Sequence, residues 1–158
     1  PAFGDPFRYN DPSYLRFPLE RGVTVIAAHC AVPYYGVFDP RYKHYLDALA
    51  ALFREAAAQS WPLYADVSAL CSVFISGAII TRIQNELPRD RLILGSDYPV
   101  PISALSFSRI KPGIIDLIRM SLKNPLDLNM DMLFKHMGFS PEVKYNAGRM
   151  FKRLGRLL

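Results

Sequence analysis

The sequence predicts an α/β protein built on a parallel sheet. Three short apolar runs point to it: residues 23–28 (Val-Thr-Val-Ile-Ala-Ala), 63–67 (Leu-Tyr-Ala-Asp-Val) and 92–94 (Leu-Ile-Leu). The first of them lacks the period-two alternation of a half-exposed strand, which suits strands covered on both faces. Segments of helical composition separate the runs, so neighbouring strands need crossover connections and a parallel sheet. Polar residues gather at the ends of the runs: His29, then Asp66 and Ser68, then Ser96 and Asp97.

Each element has its own signal. Residues 1–10, rich in proline, glycine and aromatics, read as loop. Asp11-Pro12 is a helix start, with Asp as N-cap and Pro at the first helical position. The helix runs to about Arg21, weakened in its later half by Pro18 and ended by Gly22. A loop over 31–40 follows the first strand. Residues 41–59 form a helix with Tyr45, Leu49, Leu52 and Phe53 on one face. Trp61-Pro62 breaks it. A further helix spans 74–87 and exits through Pro88-Arg89-Asp90. After Pro101 the pattern changes to helices alone, at about 108–121, 126–137 and 141–155. Asn124-Pro125, Gly138 and Ser140-Pro141 punctuate them, with Ser140 as an N-cap.

Composition narrows the class. The 158 residues, 51% hydrophobic and 21% charged, suffice for one globular core. The net charge of +5 comes from scattered residues apart from Arg149, Lys152, Arg153 and Arg156. That cluster reads as a solvated helix face. The sequence carries neither an aromatic-basic RNA motif nor zinc-finger spacing, so no nucleic-acid partner is expected. No run reaches the roughly 18 apolar residues of a membrane span, so no membrane partner is expected. Cys30 and Cys71 in apolar contexts read as free buried thiols, which places the protein in the reducing cytoplasm.

The chemistry concentrates at the strand ends. In a barrel or an open parallel sheet these ends share one face, which makes His29 and Asp97 neighbours across a pocket. Together they can hold a divalent metal or activate a water. The plainer readings are a hydrogen-bonded structural histidine and an aspartate that caps a turn. Asp66 lies within its strand and can instead point toward the helices and pair there. Ser68 and Tyr98, beside the same ends, are the candidates for substrate contact, with Tyr34, Tyr35 and Phe38 as loop aromatics. Neither Ser68 nor Ser96 has a Gly-x-Ser-x-Gly elbow, which argues against a serine nucleophile. Cys30 is expected in the core, because adjacent strand residues point to opposite faces. His44 and His136 fall in helical segments as surface or packing residues. No Gly-x-Gly-x-x-Gly follows a strand, which argues against a doubly wound nucleotide binder.

Four segments carry a resemblance. Val-Thr-Val-Ile-Ala-Ala-His-Cys, Leu-Tyr-Ala-Asp-Val-Ser-Ala-Leu, Asp-Arg-Leu-Ile-Leu-Gly-Ser-Asp-Tyr-Pro and Asn146-Ala147-Gly148-Arg149-Met150-Phe151 resemble the C-terminal half of amidohydrolase-superfamily enzymes. The branch they resemble is the amidohydrolase-related group that includes aminocarboxymuconate semialdehyde decarboxylase. The resemblance covers about residues 11–155 and implies the C-terminal half of a (β/α)8 TIM barrel. Residues 23–28, 63–67 and 91–94 would then be its sixth, seventh and eighth strands. The whole chain, 1–158, would be one partial domain: barrel part 11–101, then C-terminal helices over 102–158.

The resemblance also implies a role for each strand-end residue. His29 would orient or deprotonate the attacking water. Asp97 would be a metal ligand or a base on metal-bound water, and both would stand at a divalent metal, zinc by preference. The family's His-x-His and its further strand-end histidine have no counterpart in this sequence. The expectation is therefore a metal-dependent hydrolase or decarboxylase of a small carboxylic substrate, present as a fragment inactive alone, with metal absent or weakly bound. Homo-oligomerisation would cover the open sheet edges. The alternative is a non-catalytic, barrel-derived module that self-associates through those edges.

Overall fold

The computed structural model describes residues 11–33, 38–71, 75–95, 97 and 122–155. The helix expected over 108–121, and Tyr34, Tyr35, Ser96 and Tyr98, lie outside these residues. Within them the protein is α/β. Strands β1 (Val25–Ala27), β2 (Leu63–Asp66) and β3 (Leu92–Ile93) form a parallel sheet in the order β1-β2-β3. Val25, Ile26 and Ala27 pair with Leu63, Tyr64 and Ala65; Ala65 and Asp66 pair with Leu92 and Ile93.

The chain enters through a 3-10 turn, Pro12–Leu15, capped by the Asp11 carboxylate on the Ser13 amide at 2.9 Å. Helix α1 (Arg16–Glu20) continues from it and contains Pro18. Proline is tolerated because it falls in the first turn, where the missing amide would have no helical partner. Gly22, at φ +76°, ends the helix. The amides of Gly22 and Val23 bond back to the carbonyls of Leu19 and Pro18, a glycine-terminated helix end.

Helix α2 (Tyr42–Gln59) buries Tyr45, Leu46, Leu49, Ala50, Leu52, Phe53 and Ala56. Ser60 ends it in the left-handed conformation, with the Trp61 amide bonded to the Ala56 carbonyl at 2.8 Å. Helix α3 (Gly77–Glu86) starts where the Ser76 hydroxyl caps the Ile79 amide. Its Ile79, Ile80 and Ile83 join the same core as Leu63, Ala65, Val67 and Leu92 from one face of the sheet. Full burial of a leucine such as Leu63 contributes about 2 kcal/mol.

The other face is only partly covered. Tyr64 and Ile93 pack on Ala147 and Met150 of the last helix. At β1 no described residue forms such a cluster on that face, and Ile26 is 43% exposed. Among the described residues, covering on both faces therefore holds for β2 and β3 but not for β1.

Helix α4 (Pro125–Asp131) is capped by the Asn124 side-chain oxygen Oδ1, which accepts from the Asp127 amide, and passes into one π-helical turn, Met132–His136. Gly138, at φ +74°, closes this segment. Helix α5 (Val143–Leu154) begins two residues later than its proline suggests. The Ser140–Val143 stretch first makes a turn, its Ser140 carbonyl accepting from the Val143 amide. No described helix is long and apolar enough to cross a membrane.

Candidate functional site at the strand ends

Strand β1 stops at Ala27, and the chain then makes a left-handed turn. His29, Cys30 and Ala31 all have φ between +52° and +55°. Each such residue costs an L-amino acid about 1–2 kcal/mol, so neighbouring groups must hold the turn. Asp66, at the end of β2, supplies two of them. Its Oδ1 accepts from the His29 amide at 3.2 Å, and its carbonyl lies 3.2 Å from the Cys30 thiol. Cys30 is fully buried as expected, but the turn is what puts it there, not strand alternation.

The turn aims the His29 ring along the edge of the sheet. Its Nδ1 lies 2.9 Å from Ser68 Oγ and 3.5 Å from Asp66 Oδ1. Its Nε2 lies 3.6 Å from Asp97 Oδ2. His29 and Asp97, 68 positions apart, thus meet as the sheet topology predicts. Asp97, like His29, is in the left-handed region, at φ +51°.

Asp66 is the residue that sequence reasoning placed elsewhere. Strand alternation puts it on the Tyr64 side of the sheet, away from α2 and α3. Its Oδ1 accepts from the His29 amide, the Ser68 amide (3.0 Å) and the Ser68 hydroxyl. The signal was available: an aspartate two residues before a serine commonly folds its side chain onto the second amide. Ser68, a candidate for substrate contact, is 4% exposed and its hydroxyl is taken up between His29 and Asp66. It serves the site from within. Tyr98, the other candidate, lies outside the described residues.

Gly95 makes this arrangement possible. A Cβ there would stand 3.1 Å from Ser68 Cβ and 3.8 Å from Asp66 Cβ, so glycine lets the backbone at 95 lie close against Ser68 without a tight contact.

The electrostatics follow the geometry. The hydrogen-bonded Asp66 carboxylate holds the His29 imidazole above its ordinary pKa, against the opposing pull of burial and with help from the Asp97 charge. Burial is the largest single influence on Asp66 and pushes its pKa upward. The hydrogen bonds from His29 and Ser68, with the His29 charge, together outweigh it and hold the carboxyl below its usual range.

His29 and Asp97 face a cleft of about 360 Å³, within the range of small-molecule sites. Leu15, Ile26, Val32 and Leu70 are among its apolar walls, and Asp11 also lines it. His44 approaches Asp11 at 3.5 Å from an exposed position on α2. Among the described residues, no group of three or more His, Cys, Asp or Glu side chains is gathered for a metal ion. Asp66 and Asp97 approach opposite nitrogens of the His29 ring, so the three do not converge on one point.

Fold and site define an α/β protein with a hydrogen-bonded histidine and a carboxylate beside an apolar cleft at the C-terminal ends of parallel strands. Comparison of the chain with family models, with curated protein sequences and with solved structures gives no match.

Proposed function

We propose that the chain provides the closing strand units of an amidohydrolase-type (β/α)8 barrel, a metal-dependent hydrolase or decarboxylase acting on a C–N, C–O or C–C bond of a small carboxylic substrate. The observation that carries this reading is the approach of His29 Nε2 to Asp97 Oδ2 at 3.6 Å beside the cleft. Imidazole nitrogen and carboxylate oxygen are donors that suit zinc. With two of them the described residues do not complete a site, and further ligands would come from strands beyond these three. A bound divalent metal would supply activation of a water.

The chain's own part is proton handling. In hydrolysis the attacking water gives its proton to His29 Nε2 or the Asp97 carboxylate as its oxygen bonds to the substrate carbon. The same group returns that proton to the leaving atom as the scissile bond breaks. The test is turnover of small carboxylic amides, esters and decarboxylation substrates by the natural gene product that contains this chain. Expected is zinc-dependent turnover that falls about 10²–10⁴-fold in His29→Gln and in Asp97→Asn. A gene product that neither binds zinc nor turns over any of them overturns the proposal.

One observation favours a second reading, a self-associating module without catalysis. Val23, just before the edge strand β1, and Ile26 within it are 50% and 43% exposed. An apolar edge of this kind invites pairing with a second copy. Light scattering that shows a concentration-independent monomer excludes it.

A further inference from the structure

We infer that Asp66, acting through the Ser68 hydroxyl, is the positioning residue that fixes the tautomer of His29 and leaves Nε2 as the bare nitrogen facing Asp97. The number of hydrogens available fixes which group donates. An ionised carboxylate only accepts, and a serine hydroxyl has one hydrogen to give. Ser68 Oγ is in hydrogen-bond contact with both Asp66 Oδ1 and His29 Nδ1. Were its hydrogen given to Nδ1, the hydroxyl oxygen and the carboxylate oxygen would face each other as two acceptors. The hydrogen therefore goes to Asp66, and the hydroxyl accepts from His29 Nδ1–H. In the neutral ring one nitrogen carries the proton and the other a lone pair. That lone pair falls on Nε2; Asp97 Oδ2, at 3.6 Å, stands beyond hydrogen-bond distance, so the close contacts at Nδ1 decide the tautomer.

Three further features hold the relay in register. The amides of His29 and Ser68 both donate to Asp66 Oδ1, so the carboxylate is tied to the end of β1 and to the end of its own strand. Ser68 is buried, which keeps water from competing for its hydroxyl. Gly95 leaves the space that Ser68 fills. The arrangement matters for either task open to His29, since both accepting a proton and ligating a metal require an unprotonated nitrogen aimed at the reacting centre.

The consequence for chemistry rests on the proposed function, but the tautomer does not, and it is read without turnover. The experiment is nitrogen NMR of the chain labelled with ¹⁵N-histidine, at alkaline pH where the rings are neutral. His29→Gln identifies the His29 signals against those of His44 and His136. Expected is the Nδ1–H form at His29 in the parent chain. In Ser68→Ala and in Asp66→Ala that form falls to a minority, while His44 and His136 keep their signals. An Nε2–H form at His29 in the parent chain overturns the inference, as does an unchanged Nδ1–H population in either folded variant. Should a variant fail to fold by circular dichroism, the parent chain decides alone: Nδ1–H supports the inference and Nε2–H overturns it. A chain with the expected tautomer and no hydrolase activity would sink the proposed function and leave the relay standing.

Discussion

Asn146 of α5 is bonded to the beginning of β3: its Nδ2 donates to the Leu92 carbonyl and to the Arg89 carbonyl, each at 2.8 Å. The side chain is 1% exposed. An amide is suited to this position because it brings two hydrogens to two carbonyls and carries no charge. The bond ties the last helix to the strand that leads to Asp97. Asn146→Ala removes a partner from the buried Leu92 carbonyl, while the Arg89 carbonyl keeps the Leu92 amide; the change should cost about 1–3 kcal/mol, the range for one buried group left unsatisfied. Asn146→Asp should cost more, since a carboxylate would face two carbonyl oxygens. Urea midpoints of the two variants check the order; an Asp variant as stable as the parent would refute the assignment.

Gly95 and Ser68 are coupled by contact. Gly95→Ala places its new methyl 3.1 Å from Ser68 Cβ, a contact tight enough that Ser68 must give by a few tenths of an ångström. The expected loss is about 1–3 kcal/mol, the usual cost of overpacking. Loss of stability alone would not be diagnostic. The more telling measurement is the His29 ring NMR signal, which should move in Gly95→Ala because Ser68 is pressed against its partners. A destabilised variant with an unmoved His29 signal would show that the strain is absorbed elsewhere.

Sequence and structure agree most where burial dictates the pattern. The runs at 63–67 and 92–94 are apolar because Leu63, Ala65 and Leu92 enter the core. Their strands therefore appear within a residue or so of the expected bounds. The meeting of His29 and Asp97 was legible because parallel strands end on one side of a sheet. The left-handed turn was not legible, because His29-Cys30-Ala31 contains neither glycine nor asparagine to announce it. It exists because Asp66, 37 positions away, bonds the His29 amide. The direction of Asp66 was missed for the same reason. A side chain's target beyond a strand end is set by what the neighbouring strand presents, and local pattern does not contain that.

The pair His29–Asp66 should make stability depend on pH from both sides. The folded pKa of His29 is raised, so its contribution is complete below its unfolded value of about 6.5 and is lost as pH rises through the folded value. The folded pKa of Asp66 is lowered, so its contribution is complete above its unfolded value of about 3.9 and is lost as pH falls through the folded value. Their joint contribution is therefore greatest between about pH 4 and 6.5. Melting temperatures across this range should show a maximum that flattens in Asp66→Asn. An Asp66→Asn profile parallel to that of the parent would count against the pairing.

Both thiols should be silent in the folded chain. Cys30 is 0% exposed and Cys71 3% exposed. Burial, aided by the Asp66 charge, raises the pKa of the Cys30 thiol strongly, and burial alone pushes that of Cys71 up to about 12. Cys71 Sγ is also placed 3.1 Å from the Asn129 side-chain oxygen, which the thiol form can donate to and a thiolate cannot. The reactive species is the thiolate, so a thiol reagent at neutral pH meets neither the charge nor the access it needs. Labelling should therefore proceed only through opening, with a rate that rises in step with added urea. Mass spectrometry after brief native labelling should find neither cysteine modified. Prompt labelling of Cys71 without denaturant would mean that the contact between it and the α4 segment opens independently of the core.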